Sequence, residues 1–375
     1  MSVFTQLWSV AGYIVPFLFV LSIVIFFHEL GHFLVGRLCG VKVDVFSLGF
    51  GPELFGLVDR HGTRWRFGAL PLGGYVKFHG DANGASMSDG GEIAAMPASE
   101  RAVTFFAQNV WKRAAIVAAG PIANFLLAIV IFTGIFCVHG RGILIPRVDA
   151  VTPDSAAAAA GFEPGDLIVS IDGTQISSFE DMQRIVQSSP DLALTVVVKR
   201  QGQDVTLVAT PRTKTLVTPF GTARVAQLGI EAGRNKESWH VERYGVFQSA
   251  QLATRETWFI VEQTGAYLGG LVTGRESTDQ LSGPIRIAEV SGQMAKAGFA
   301  ALLNLAAVLS ISIGLLNLAP IPLLDGGHLV YYAIEAVRGK ALDEKIQHMG
   351  FRIGLTFVVG LMILATYNDI SRLFH

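Results

Sequence analysis

The sequence predicts an α-helical polytopic membrane protein: four transmembrane helices, a small β-region after the first, and one inserted α/β module. Three observations carry this. The 375-residue chain is 51% hydrophobic and only 16% charged, with a mean hydropathy of +0.46, well above that of a soluble domain this size. Four charge-poor apolar runs approach or exceed the length of a bilayer, and the second and third are separated by a stretch with soluble composition. The formal net charge of −1 gives no general pull towards nucleic acid or an acidic substrate.

A spanning helix needs about 20 apolar residues to cross roughly 30 Å of hydrocarbon. Residues 13–39, 114–138 and 300–324 meet that length, the first interrupted only by a His-Glu-His cluster and Arg37. Residues 353–367 are fewer but free of charge, flanked by Arg352 and Asp369. The N-terminal run lacks a basic leader and continues unbroken into the cluster, so a retained anchor is expected. Arg37, Lys42, Lys112 and Arg113 border the first inter-helix loop, and Arg338, Lys340, Lys345 and Arg352 the last. Both loops are therefore expected in the cytoplasm, with the termini and residues 139–299 on the other side. Cys39 and Cys137 stand about a hundred residues apart, with neither thiolate-metal nor disulfide spacing, and read as packing residues.

Between the spans, VKVDVF (41–46) and RWRFGALPLGGYVKF (64–78) carry the β-branched and aromatic residues of strands. A small sheet beside the first helix is expected, followed by a mobile glycine-rich loop over 81–99. In 145–212, IPRVDAV and GDLIVSID read as strands, FEDMQRIVQSS (179–189) as a helix, and LALTVVVKRQGQDVTLVAT as a hairpin turning at Gln201-Gly202. Residues 245–272 are interrupted by Arg255, Glu256 and Glu262 and read as an amphipathic helix at the membrane surface. The expected organisation is helix 1 over 1–40, β-region and loop over 41–112, helix 2 over 113–139, module over 140–212, following region over 213–299, helix 3 over 300–328, loop over 329–350 and helix 4 over 351–370.

The chemistry lies in FFHELGHF (26–33). H-E-x-x-H on a helix places His28 and His32 on one face, near enough to share a metal ion, with Glu29 beside them to accept a proton from water. Three ionisable groups at that depth without a role would cost several kcal/mol. Catalytic zinc takes three protein ligands and leaves one position open. Apart from Glu29, the apolar runs contain no acidic residue, and Asp325 stands directly at the end of the third, in NLAPIPLLDGGH (317–328). With four spans the first and third run in the same direction, so the late parts of both reach one side of the membrane. Pro320 and Pro322 break the helix just before Asp325, which implies a wet pocket. Asn317 is placed to hydrogen-bond a substrate carbonyl or to tie two helices together. Gly120 and Asn124 form a small-x-x-x-polar pair in the second span that favours close helix approach.

Two resemblances add to this reading. AGFEPGDLIVSIDG (160–173) resembles the signature of bacterial PDZ domains, with Phe162 where leucine is usual. That implies a groove accepting an extended peptide by strand addition, or a domain that only fills space and blocks access. HELGH, GPIAN (120–124), the PDZ-like module and NLAPIPLLDGGH together resemble the site-2 protease family of intramembrane zinc metalloproteases, in its bacterial sigma-factor-regulating branch. The resemblance implies His28, His32 and Asp325 as ligands of Zn2+, Glu29 as catalytic base and Asn317 as a substrate-binding residue. GGYVKF (73–78) is similar to the family's membrane-associated β-region, which implies that Gly73, Gly74 and Tyr75 hold an unwound substrate as an added strand. The implied substrates are single-pass membrane proteins already cut by another protease, such as anti-sigma factors, or signal-peptide remnants, with new peptide termini met at the PDZ domain. The implied location is the bacterial inner membrane, with the PDZ domain on the periplasmic side. The best-known enterobacterial members carry two PDZ modules in tandem and this chain one. The alternative from another class is a non-catalytic membrane scaffold that binds extracytoplasmic peptides, its polar helix residues only locking the bundle.

Overall fold

The computed structural model describes residues 3–81, 95–218, 221–233, 238–275, 278 and 281–373. Most of the loop expected over 81–99 lies outside them. The chain divides into two units, residues 1–134, 250–269 and 282–375 in one, 135–249 and 270–281 in the other. Among the described residues, four helices are long and apolar enough to span a membrane: Ala11–Leu38, Val110–Val138, Phe299–Asn317 and Lys345–Arg372.

In the first unit, helix α1 (Val3–Leu38) leads into strands β1 (Val43–Val58) and β2 (Arg64–Phe78). Both strands bend sharply, so Val45–Leu48 pair with 74–77 on one edge and with 64–67 on the other. Two strands thus do the work of four, and Gly74–Phe78 become an outer edge. The sheet seats on the late part of α1 through Phe33, Phe46, Val76 and Phe78, joined by Phe105 and Ile116. Phe33 and Phe46 meet edge to face at 5.5 Å, and Phe78 stacks on Phe105 at 5.2 Å. Arg37, at the end of α1, binds Asp59 at 2.5 Å and the Thr63 hydroxyl at 2.9 Å, pinning the hairpin tip to the helix.

A short helix α2 (Ala98–Arg101) precedes α3 (Val110–Val138), the second span. The second unit then begins, with β3 (Arg141–Leu144), β4 (Ala150–Val151), α4 (Ala156–Ala160), β5 (Leu167–Ile171), β6 (Thr174–Gln175), α5 (Phe179–Ser188), β7 (Leu194–Arg200) and β8 (Gln203–Ala209). Its central sheet has the order β6-β5-β7-β8, over a core that includes Val148, Ile168, Ile171, Val196 and Val198. The β7–β8 turn falls at Gln201 and Gly202, both at positive φ as a two-residue type I′ hairpin requires. Ser178 and Asp181 close a reciprocal capping box on α5.

The module does not close at residue 212, where the sequence reading ended it. Strands β9 (Arg212–Thr218) and β10 (Gly221–Gln227) form a hairpin, β11 (Ile230–Glu231) pairs with β4, and β12 (Trp239–Glu242) pairs with β3. β3 and β4 open the module but need partners made about 100 and about 80 residues later, which no local pattern announces. Val246–Val272 form one helix, α6, without the apolar character of the four spans.

Helix α7 (Pro284–Ala297) returns to the first unit, its N-terminus capped by the buried Asp369 carboxylate, which accepts from Gly283 N at 2.9 Å and Arg286 N at 3.0 Å. α8 (Phe299–Asn317) is the third span. It ends at Asn317 rather than running to 324 or 328, because Pro320 and Pro322 cannot supply the backbone donors that would continue it. A new helix, α9 (Asp325–Arg338), starts at Asp325, and α10 (Glu344–Leu373) is the fourth span. Residues 329–350, expected as a loop, are thus mostly helical. The charges behind the expectation of a loop are equally at home on an exposed helix end. Glycines shape the break: a Cβ at Gly326 or Gly327 would strike the carbonyls of Leu318, Ala319 or Ile321, and one at Gly354 that of Pro322.

Candidate metal centre

Helical geometry puts His28 and His32 on one face of α1, one turn apart. Their Nε2 atoms lie 3.3 Å from each other. The Asp325 Oδ2, at the first residue of α9, lies 3.3 Å from His28 Nε2 and 3.5 Å from His32 Nε2. The sides of this triangle suit zinc, for which ligand distances of about 2.0–2.1 Å in tetrahedral geometry give edges of about 3.3 Å. The donor set of two imidazoles and a carboxylate fits the same ion. Asp325 Oδ2 is also buried without a hydrogen-bond partner in the protein, a costly arrangement unless a cation answers it.

One face of α3 holds the two imidazoles in this pose, using Ile116, Gly120 and Asn124 at four-residue spacing. The carbonyl of Ile116 lies 2.9 Å from His32 Nδ1. It accepts the Nδ1–H, which leaves the Nε2 lone pair facing Asp325. The Asn124 amide, fully buried, lies 3.2 Å from His28 Nδ1. The amide orientation that turns Oδ1 to Nδ1–H satisfies an oxygen otherwise without a partner and fixes the same tautomer on His28. Gly120 lies between these two contacts, where any Cβ would overlap the His32 ring and come within 2.9 Å of His28 Cε1. The Ser310 hydroxyl of α8 donates to the Asn124 carbonyl at 2.9 Å, tying the third span to the second.

The three side chains open onto a cavity of about 210 Å³, which Glu29, Tyr75, Asn317 and His328 also line. Glu29 accepts a hydrogen bond from the backbone of Val76. Gly74 lets the sheet edge close on α1: a Cβ there would stand 3.0 Å from Glu29 Cγ. Gly73 packs on the Phe50 ring instead. At the other wall, Arg113 of α3 binds Glu335 at 2.5 Å and lies over the Tyr332 ring at 5.0 Å, locking α9 against α3. Behind Tyr332 and outside the spans, burial raises the Asp81 carboxyl to about 8.

The structure therefore brings His28, His32 and Asp325 to one point, with Glu29, Asn317, Gly74 and Tyr75 around the same cavity. Gly120 and Asn124, read from sequence only as packing residues, touch the imidazoles. His328 and Tyr332 on the cavity wall went unread, though their positions three and seven residues after Asp325 would have marked them once that segment was known to be helical. The contact of Asn124 with His28 sets an expectation. Asn124→Ala should weaken zinc binding about 10- to 100-fold in a competitive chelator titration, without changing helix content by circular dichroism.

Comparison with known proteins points to a zinc enzyme as well. The family model described as Peptidase family M50 matches residues 16–361. A protein of Agrobacterium fabrum named as a zinc metalloprotease is 50% identical over 363 residues, covering 96% of each chain. One of Rhizobium meliloti with the same designation is 50% identical over 364 residues, 96% of this chain and 97% of its own. Metalloprotease MmpA of Caulobacter vibrioides is 40% identical over 382 residues, 96% of this chain and 95% of its own. With four described helices long and apolar enough to cross a membrane and a matched region from the first to the last of them, the chain belongs to peptidase family M50 and is a multi-pass membrane zinc metalloprotease.

Proposed function

We propose that the protein hydrolyses peptide bonds within or beside the transmembrane segments of single-pass membrane proteins, with His28, His32 and Asp325 holding zinc and Glu29 as the base. The observation that carries this reading is the triangle of Nε2, Nε2 and Oδ2 atoms with 3.3–3.5 Å sides, formed by residues at the ends of two apolar runs. When bound there, zinc makes water acidic near neutral pH and polarises the substrate carbonyl. Glu29 takes the proton of the attacking water and returns it to the leaving amine. Asn317 donates from its amide to a substrate carbonyl. The outer edge at Gly74–Tyr75 pairs with the substrate backbone, replacing the hydrogen bonds lost when a transmembrane helix unwinds.

The second unit is read as a PDZ-type domain on the periplasmic side of the inner membrane. A cavity of about 100 Å³ between α5 and residues 225–230, lined by Phe179, Met182 and Val186, supports its binding of peptide termini left by an earlier cleavage. Anti-sigma factors and signal-peptide remnants are the substrate classes this arrangement suits. The test reconstitutes the full-length protein in liposomes with a model single-pass substrate, beside a soluble, unstructured peptide carrying the same bonds. Cleavage of the embedded segment is expected. Cleavage of the soluble peptide alone would overturn the proposal.

A further inference from the structure

Helix α9 delivers more than Asp325 to the cavity. Residues 325, 328 and 332 recur at helical spacing on one face, and all three line the same space. His328 and Tyr332 have their rings held from behind. The Tyr331 ring meets His328 edge on at 6.2 Å, while Phe105 and the Arg113 guanidinium flank Tyr332. Among the described residues, neither imidazole nitrogen of His328 has a hydrogen-bond partner, and neither is among the polar atoms sealed from solvent. The ring is thus fixed by packing while its polar edge stays open to the cavity.

We propose that His328 is a catalytic residue whose N–H donates a hydrogen bond to the substrate carbonyl oxygen as negative charge builds on it. Three residues along a helix separate its Cβ from that of Asp325 by about 5–6 Å. The imidazole thus lines the same cavity as the three ligand side chains. The cavity's other wall, the strand edge at Gly74–Val76, can satisfy only the backbone groups that face it. Of the α9 side chains that line the cavity, Asp325 is a metal ligand, and His328 and, one turn further on, Tyr332 are the two that can donate a hydrogen bond. A fixed donor in such a place is worth more than in water, because nothing has to reorganise when the charge appears.

The inference rests on the proposed metal centre, so its test reads zinc content and kinetics together, in full-length protein with a model transmembrane substrate. His328→Ala is expected to keep its zinc, lower kcat about 100-fold and leave KM within about threefold, as for loss of one oxyanion donor. His328→Gln, which keeps an N–H donor, should recover part of kcat. Activity of His328→Ala within about threefold of wild type, an effect wholly on KM, or no recovery in His328→Gln would overturn the proposal. Parallel loss of zinc would overturn it too, by making His328 part of the metal site. Absence of zinc from the wild type would instead overturn the reading beneath it.

Discussion

Glu29→Gln should leave the zinc in place and lower hydrolysis of a transmembrane substrate by about 10³-fold or more, at the upper end of what general-base catalysis supplies. The substitution is nearly isosteric, and its amide can still accept from the backbone of Val76, so the fit of Gly74 against this side chain survives. Only proton acceptance is lost. Glu29 is not among the atoms of the ligand triangle, so metal content and catalysis separate in this variant. A turnover assay beside elemental analysis of the same preparation checks it. A variant that cleaves at the wild-type rate would remove Glu29 from the reaction.

The second large effect is expected at a residue with no side chain. In an ordinary helix Gly→Ala is favourable by about 1 kcal/mol, so propensity alone predicts that Gly120→Ala firms up α3. Sterics predict loss of the centre. The added methyl would occupy the space of the His32 ring and press on His28. To make room, His32 would have to leave the Ile116 carbonyl and carry its Nε2 away from Asp325. We expect zinc affinity to fall at least about 100-fold, the upper end for disturbed ligand support, with activity falling alongside. Gly134→Ala, on the same helix with open space around its position, provides the control and should leave both unchanged.

These residues show what was legible in the sequence. Apolar run lengths announce the spans, because lipid imposes one strong constraint on composition. His28, Glu29, His32 and Asp325 stand out because ionisable groups are rare at such depth. The end of α8 at Asn317 was legible in part, since two prolines mark the break, but the return to helix at Asp325 depends on glycines packing against the carbonyls of 318–321. Gly120 and Asn124 look like helix glue until the imidazoles are placed, because a small residue's role is set by what approaches it. The double register of β1 and the late partners of β3 and β4 are non-local pairings that no window of sequence contains. Helix α9 was missed because its charges read as loop, and His328 was missed with it.

The central claim is that His28, His32 and Asp325 form one metal site. Elemental analysis of purified full-length protein tests it most directly, comparing wild type, Glu29→Gln and Asp325→Ala after the same treatment with a mild chelator. About one zinc per chain should remain in the wild type and in Glu29→Gln, and almost none in Asp325→Ala. Retention of a full zinc by Asp325→Ala would contradict the account.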